Sequence, residues 1–320
     1  MDKLNSMTDK NLALKDKRYY EPVWKKAINR ILVFFLTLVS WLPFPVIYFL
    51  SDLFYLLVKY GIKYRRKVIV ENLTCAFPEK TAKEIQKLTN RYYRHFCDLS
   101  LEVIKLHSMS EKNIDKRVVF KGTDLMERIF DENKNMIVLA MHHNNWEWGS
   151  LVHRKTRYTG IMVYDPIRGN QAFEQFLVRS RTRFGGVCVP VHKAARTTAE
   201  LNKLGKPTAL WLGADQAPPA NSKFWTIFLN RAAPFFSGPE KIAIKTNQPV
   251  FFHHVRKIKR GHYEISYVPL FMTPQHCKPN EIMLEYVRKM EEAISEQPEF
   301  YLWSHRRWKH KRPEGIPLTL

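Results

Sequence analysis

The chain has 320 residues, 45% of them hydrophobic, which is enough for one large domain or two small ones. With 52 Lys and Arg against 30 Asp and Glu its net charge is +22, a balance that calls for an anionic partner: nucleic acid, anionic lipid or a phosphorylated substrate. Cys75, Cys97, Cys188 and Cys277 are scattered without metal-ligand spacing; they suggest no disulfide framework and read as free thiols in a reducing compartment.

In chain order, residues 1–20 are polar and charged and read as a flexible N-terminus. Ile31–Leu50 then holds 20 uncharged residues. A helix of that length reaches about 30 Å, enough to cross a bilayer core. Pro43 and Pro45 would kink or break it, so a helix–break–helix lying in one leaflet stands beside the spanning helix. Basic residues flank both sides, Lys25, Lys26 and Arg30 before and Lys59, Lys63, Arg65, Arg66 and Lys67 after, so charge does not set the orientation. Residues 21–67 form the expected membrane-anchoring helical segment, and 68–320 the remaining domain.

A helix is marked next by Pro78 and by a capping box, Thr81-x-x-Glu84. Ile85, Leu88, Tyr92, Phe96, Leu99 and Val103 give it an apolar face. Strand patterns follow at Met136–Met141, Gly160–Tyr164, Val187–Val191, Thr208–Leu212, Pro249–Val255 and Tyr263–Val268. Helical patterns lie between them at Thr123–Glu132, Trp146–Arg154, Asn170–Phe184, Lys193–Leu204, Gly238–Asn247 and Asn280–Glu296. The alternation predicts an α/β fold. Its mostly parallel central sheet carries helices on both faces and follows the N-terminal hydrophobic, membrane-anchoring helical segment.

The most informative stretch is Met136–Gly149. A buried strand breaks into His142-His143-Asn144-Asn145, and Trp146 and Glu147 open a helix. His142 at a strand end can accept a proton near neutral pH, and Glu147 can orient its ring. On one continuous helix the two would stand roughly 140° apart, so the pairing needs the break that the HHNN stretch supplies. A His and a Glu at this spacing are most often plain surface residues. His143 lacks an acid at the same spacing, and adjacent histidines without HExxH or CxxC do not make a zinc site. No GxSxG, GxxxxGK[ST] or GxGxxG is present, so serine hydrolase, P-loop and dinucleotide chemistry lose their sequence support.

Arg179, Arg181 and Arg183 close one helical pattern; a solvated face and a phosphate site stand level on spacing alone. Asp215-Gln216 follows a buried-looking run, as a turn-former or as site residues. His253-His254 alternate across a strand, which disfavours a metal. The tail Trp303–Arg312 alternates aromatic and basic residues, suited to stacked bases or lipid headgroups. The apolar run and the lack of any nucleic-acid motif argue against nucleic acid as the partner.

Together these motifs resemble the late acyltransferases of lipid A biosynthesis, the lauroyl/myristoyl transferases, within the glycerolipid acyltransferase group. His142–Glu147 fits the H-x4-[DE] pattern in its HxxNWE form. Further matches are Glu71-Asn72-Leu73, Ala76-Phe77-Pro78, Tyr164-x-Pro166, Arg181-x-Arg183-x-Gly185, Ala214-Asp215-Gln216, Phe224-Trp225, Pro234 to Gly238 and Trp303-x-His305-Arg306-Arg307-Trp308, in the family's order from Trp41 to Lys311. One departure is Asp165, where the family usually carries a basic residue. The resemblance implies transfer of a fatty acyl chain from an acyl-carrier-protein thioester to a hydroxyl of a lipid A precursor. Its neighbour in the same group is O-acylation of another lipid, a lysophospholipid or an amino-acid-containing lipid. His142 would be the base and Glu147 its partner. Asn145, Arg181, Arg183, Asp215 and Gln216 would bind substrate, with backbone amides near Asn145 as oxyanion donors and Arg306 and Arg307 as further cations. No cofactor or metal is implied. The partners would be the acyl carrier protein, the lipid acceptor and the membrane, with the catalytic domain on the cytoplasmic side of the bacterial inner membrane.

Overall fold

The computed structural model describes residues 20–203 and 205–320; the flexible stretch expected over 1–20 lies, apart from Tyr20, outside the described residues. The uncharged run is divided between α1 (Val23–Trp41) and α2 (Phe44–Leu56). The cause is Pro43, which confines Leu42 to extended backbone (φ −59°, ψ 145°). Pro45 in the first turn of α2 forfeits only an N–H that the helix leaves unbonded. The helix–break–helix form is therefore the one adopted. A π-helical turn, Leu57–Ile62, extends α2. The resulting 19-residue helix Phe44–Ile62 is, among the described residues, the one long and apolar enough to cross a membrane. Trp24, Ile28, Phe34, Phe35 and Trp41 on α1, and Phe49, Leu53 and Leu56 on α2, are exposed.

After α3 (Arg66–Ala76) comes α4 (Ala82–Leu106). It opens on the expected capping box: Thr81 N–H donates to Glu84 at 2.8 Å and Glu84 N–H to Thr81 Oγ1 at 3.3 Å. Its inner face is not purely apolar, for Asp98, Glu102 and Lys105 are buried on it. These residues hold the N-terminal helices. Lys105 Nζ donates to the carbonyls of Ser40 and Leu42 at 2.7 and 2.9 Å, satisfying oxygens left open at the end of α1. Ser51 donates to Asp98 at 2.7 Å, and Arg260 binds Asp98 and Asp52 at 2.6 and 2.8 Å.

The chain continues through α5 (Glu111–Arg117), β1 (Val118–Lys121), α6 (Thr123–Asp131), β2 (Met136–Ala140), a 3-10 helix at Trp146–Arg154, β3 (Thr159–Tyr164), α7 (Gln171–Thr182), β4 (Val187–Pro190) and α8 (Ala194–Asn202). Then come β5 (Thr208–Gly213), the hairpin β6 (Trp225–Phe228) and β7 (Arg231–Pro234), α9 (Gly238–Thr246), β8 (Val250–Lys259), β9 (His262–Phe271) and α10 (Glu281–Glu296). Seven strands form one sheet in the order β1-β9-β8-β2-β5-β3-β4. Every pairing in it is parallel except β8 with β9.

β2 is buried on both sides, which is why its sequence is a continuous apolar run. Ile137 and Leu139 join the layer containing α4, α10 and the β6–β7 hairpin, while Met136 and Val138 join the opposite layer with Trp148, Leu151 and Trp211. β2 pairs with β5 on one edge and β8 on the other. The chain leaves β2 toward β3 and leaves β5 toward β8, in opposite directions across the sheet. The two connections lie on opposite faces of the sheet, the Trp146–Arg154 helix on one and the β6–β7 hairpin on the other, which opens a crevice at the carboxyl ends of β2 and β5.

Candidate active site

Both strands that flank the crevice deliver a polar residue into it just past their last ladder bond. His142 follows the end of β2, and Asp215 and Gln216 follow the end of β5. The side chain of Asp215 is almost fully buried and accepts from both the backbone N–H of His142 (3.0 Å) and the ring Nδ1 (2.7 Å). That places the proton on Nδ1 and leaves the Nε2 lone pair, which Gln216 Nε2 approaches at 3.2 Å. Burial opposes charging of His142, but the Asp215 carboxylate outweighs it and raises the ring's pKa above the ordinary imidazole value. Burial likewise works against ionisation of Asp215, and its pairing with His142 holds it below the usual carboxylate range.

The expected break after β2 is present. His143 bridges to Tyr301 as an isolated antiparallel pair, and Leu302 N–H donates to the His142 carbonyl at 3.0 Å. Asn144 takes left-handed backbone (φ 54°), which Asn tolerates better than most residues, and its Nδ2 binds the Val255 carbonyl at 2.7 Å. His143 is buried, with Nε2 on the Gln297 carbonyl at 3.0 Å. Burial pushes its pKa down to about 4, so it stays neutral and structural.

Glu147 does not hold the His142 ring. Its carboxylate is taken in bidentate fashion by Arg181, Nε at 2.7 Å and Nη2 at 2.6 Å, the fork geometry that guanidinium favours. Burial works against this carboxylate, but Arg181 keeps it ionised below its ordinary range. Trp146 links the two groups: its Nε1–H donates to Glu147 at 3.2 Å, and its ring stands edge-on to His142 at 5.0 Å. Glu147 therefore reaches His142 through space and through an indole, while Asp215 makes the direct contact.

The remaining expected residues divide. Gln216 faces the ring as described. Asn145 is fully buried: its Oδ1 accepts from Trp148 N–H at 3.2 Å and its Nδ2 donates to Glu102 at 2.7 Å. Its side chain thus caps the 3-10 helix and does not enter the crevice. Arg183 donates to the carbonyls of Leu106 and Met109 at 2.9 and 3.1 Å, fastening α7 to the end of α4. Arg307 is buried against Phe235, its guanidinium 4.2 Å from the ring, and donates to the Pro234 carbonyl at 2.6 Å. Trp303 is buried and Trp308 stacks on Phe228. The tail's aromatic rings belong to the core and are unavailable to bases or headgroups, while Arg306 is exposed. Glu102 was not singled out by the sequence, although it falls on the helix stripe of Leu99 and Leu106, an acid where an apolar residue would be usual. Among the described residues no cluster of three or more His, Cys, Asp or Glu could hold a metal, and the four cysteines are free.

A model of the family described as "Bacterial lipid A biosynthesis acyltransferase" matches residues 19–310. The lipid A biosynthesis palmitoleoyltransferase of Escherichia coli (strain K12) is 25% identical over 285 residues, 86% of this chain and 88% of its own length. The lipid A biosynthesis lauroyltransferase of the same strain is 25% identical over 289 residues, 88% and 91% of the two chains. A lipid A biosynthesis acyltransferase of Haemophilus influenzae is 23% identical over 154 residues, 48% of each.

Proposed function

Because the chain belongs to the bacterial lipid A biosynthesis acyltransferase family and is an acyltransferase, we propose that it moves a fatty acyl chain from an acyl-carrier-protein thioester to a hydroxyl of a lipid A precursor, with His142 as general base. A hydroxyl is a poor nucleophile until its proton is taken, and Nε2 of His142 carries the lone pair that takes it once the hydroxyl displaces the Gln216 amide. As the hydroxyl oxygen attacks the thioester carbonyl, the proton passes to Nε2. The tetrahedral centre then collapses, the C–S bond breaks, and the imidazolium returns the proton to the departing thiolate. A thioester is activated enough for direct attack, so no protein nucleophile is needed.

The observation that carries this reading is the His142–Asp215 pair at the switch point of the sheet, ring to carboxylate at 2.7 Å. Asp215 fixes the tautomer and supplies the counter-charge for the imidazolium. Glu147, held by Arg181, adds a second fixed negative charge and keeps Trp146 against the ring. Backbone amides at the start of the Trp146–Arg154 helix serve as the oxyanion donors. The net charge of +22 suits a phosphorylated lipid and an acidic carrier. The exposed apolar faces of α1 and α2 seat the enzyme on the bacterial inner membrane with the catalytic domain in the cytoplasm.

The test is turnover of purified His142→Ala and His143→Ala with acyl carrier thioester and lipid A precursor. His142→Ala loses ~10²–10⁴-fold and keeps its secondary structure. His143→Ala, normalised to folded protein, retains far more activity. Full turnover by His142→Ala would refute the base assignment.

A further inference from the structure

Glu102 is buried completely, in the last turns of α4, and no part of the chemistry above uses it. Three side chains from three different elements converge on its carboxylate. Tyr48 of α2 donates to Oε1 at 2.9 Å. Tyr263 of β9 donates to Oε2 at 2.7 Å, and Asn145 of the catalytic loop donates to the same oxygen at 2.7 Å. Its backbone carbonyl also accepts from the indole N–H of Trp148 at 3.2 Å. All three side-chain partners are donors, so the group serves as an acceptor on every side.

From this convergence we infer that Glu102 is a positioning residue that couples the membrane-facing helix α2 to the loop carrying His142. The inference rests on the proposed role of His142 and concerns how that ring is held in place. Asn145 is the hinge of the coupling. An amide presents a donor and an acceptor on opposite sides of one plane. Glu102 can accept only from the donor side, so it fixes Asn145 with its oxygen toward Trp148 N–H. That orientation caps the 3-10 helix beginning at Trp146, whose ring packs on His142. The α2 end of the link is doubled by an apolar contact, Phe44 edge-on to Trp148 at 6.3 Å. Displacement of α2 would therefore reach the catalytic loop through Tyr48 and Glu102 and through Phe44 and Trp148. A shift of ~1 Å at a reacting group can cost ~10²-fold in rate.

The test exchanges the partners. In Asn145→Asp, two carboxylates face each other across the hinge, and kcat should fall about tenfold or more with KM for donor and acceptor unchanged. Adding Glu102→Gln restores a donor–acceptor pair in the reverse sense: the new amide nitrogen gives one N–H to the new carboxylate on the loop, which still caps Trp148 N–H, and the other to the Tyr263 hydroxyl, which turns from donor to acceptor, while the amide oxygen still accepts from Tyr48. The double variant should recover to within a few-fold of wild type. Tyr48→Phe removes one hydroxyl from α2, away from the reacting atoms, and should lower kcat several-fold at constant KM and constant vesicle binding. The inference is overturned if Asn145→Asp remains inactive in the Glu102→Gln background while its melting temperature is restored. It is equally overturned if Tyr48→Phe changes the melting temperature and leaves kcat unaltered. Either result would make Glu102 a packing residue. An active His142→Ala variant would instead remove the base assignment, so the two failures are distinguishable.

Discussion

Two acids compete for the role of partner to His142, and geometry separates them. Glu147 is five residues away in sequence, yet the ring bonds to Asp215, 73 positions distant. Linear spacing favours near neighbours, whereas the contact is made across the β2–β5 ladder, where Ala140 pairs with Gly213 and brings the following residues together. The ladder is not visible in one sequence, although Asp215 stood out as a polar residue at a strand end. Glu147 is the bidentate partner of Arg181, which gives a prediction at this scale. Arg181→Lys keeps the charge and loses the fork, so Glu147 and Trp146 lose their fixed position. Steady-state kinetics should show kcat falling about tenfold or more with KM for the lipid acceptor little changed. A pure KM effect would instead make Arg181 a substrate-binding cation.

At the level of elements, long periodic segments were legible and short or non-local ones were not. The capping box located α4, and the continuous apolar runs located β2, β3, β4 and β5. β1 is four residues directly after a helix and has too little pattern to register. The β6–β7 turn runs through Leu229 and Asn230, both at positive φ (48° and 65°), without the glycine that usually signals such a turn. β8 continues to Lys259 because it folds back on β9 through Gly261, at φ 70°. The uncharged run became two helices, and the polar seam behind them, Lys105, Asp98 and Arg260, could not be read from hydropathy. That seam bears on how membrane attachment is tested. Deleting α1 and α2 would strip partners from buried Asp98 and Glu102 and disturb the fold. Substituting Phe34, Phe35 and Trp41 together by Ser touches only outward side chains. Each large apolar side chain removed from the membrane forfeits about 1.5–3 kcal/mol. Partitioning onto anionic phospholipid vesicles, read by flotation, should therefore fall roughly a thousandfold or more, with an unchanged melting temperature. Undiminished flotation would show that these helices do not seat the protein on lipid.

For the whole molecule, buried histidines govern the response to acid. Burial depresses the pKa of His143, His153 and His305 to about 4 and that of His253 to about 3. The unfolded chain protonates these rings near pH ~6.5 while the folded one does not. Below that pH the unfolded state binds more protons, so stability is full above ~6.5 and declines as pH falls toward 4. His142 has the opposite sign: its raised folded pKa stabilises below ~6.5, and that contribution is lost as pH rises through the raised value. Burial also lowers the pKa of His95, His107 and His254, so the depressed rings outnumber His142 and give a net loss in acid. Urea melts in detergent should show a lower midpoint at pH 5 than at pH 7.5, and His253→Leu should reduce the difference. A midpoint unchanged over that interval would contradict the neutral, buried state of these rings.

Under the proposed mechanism the raised pKa of His142 should also govern turnover, because only the neutral ring accepts a proton. The most direct test of the His142–Asp215 base is the pH dependence of kcat/KM for wild type and Asp215→Asn with acyl carrier thioester and lipid A precursor. Wild type should show a rate that rises with pH, its midpoint above the ~6.5 of free imidazole. Without the Asp215 carboxylate, the midpoint should move to lower pH and the plateau should fall about 10²-fold or more. An Asp215→Asn enzyme with the wild-type midpoint and plateau would contradict the account.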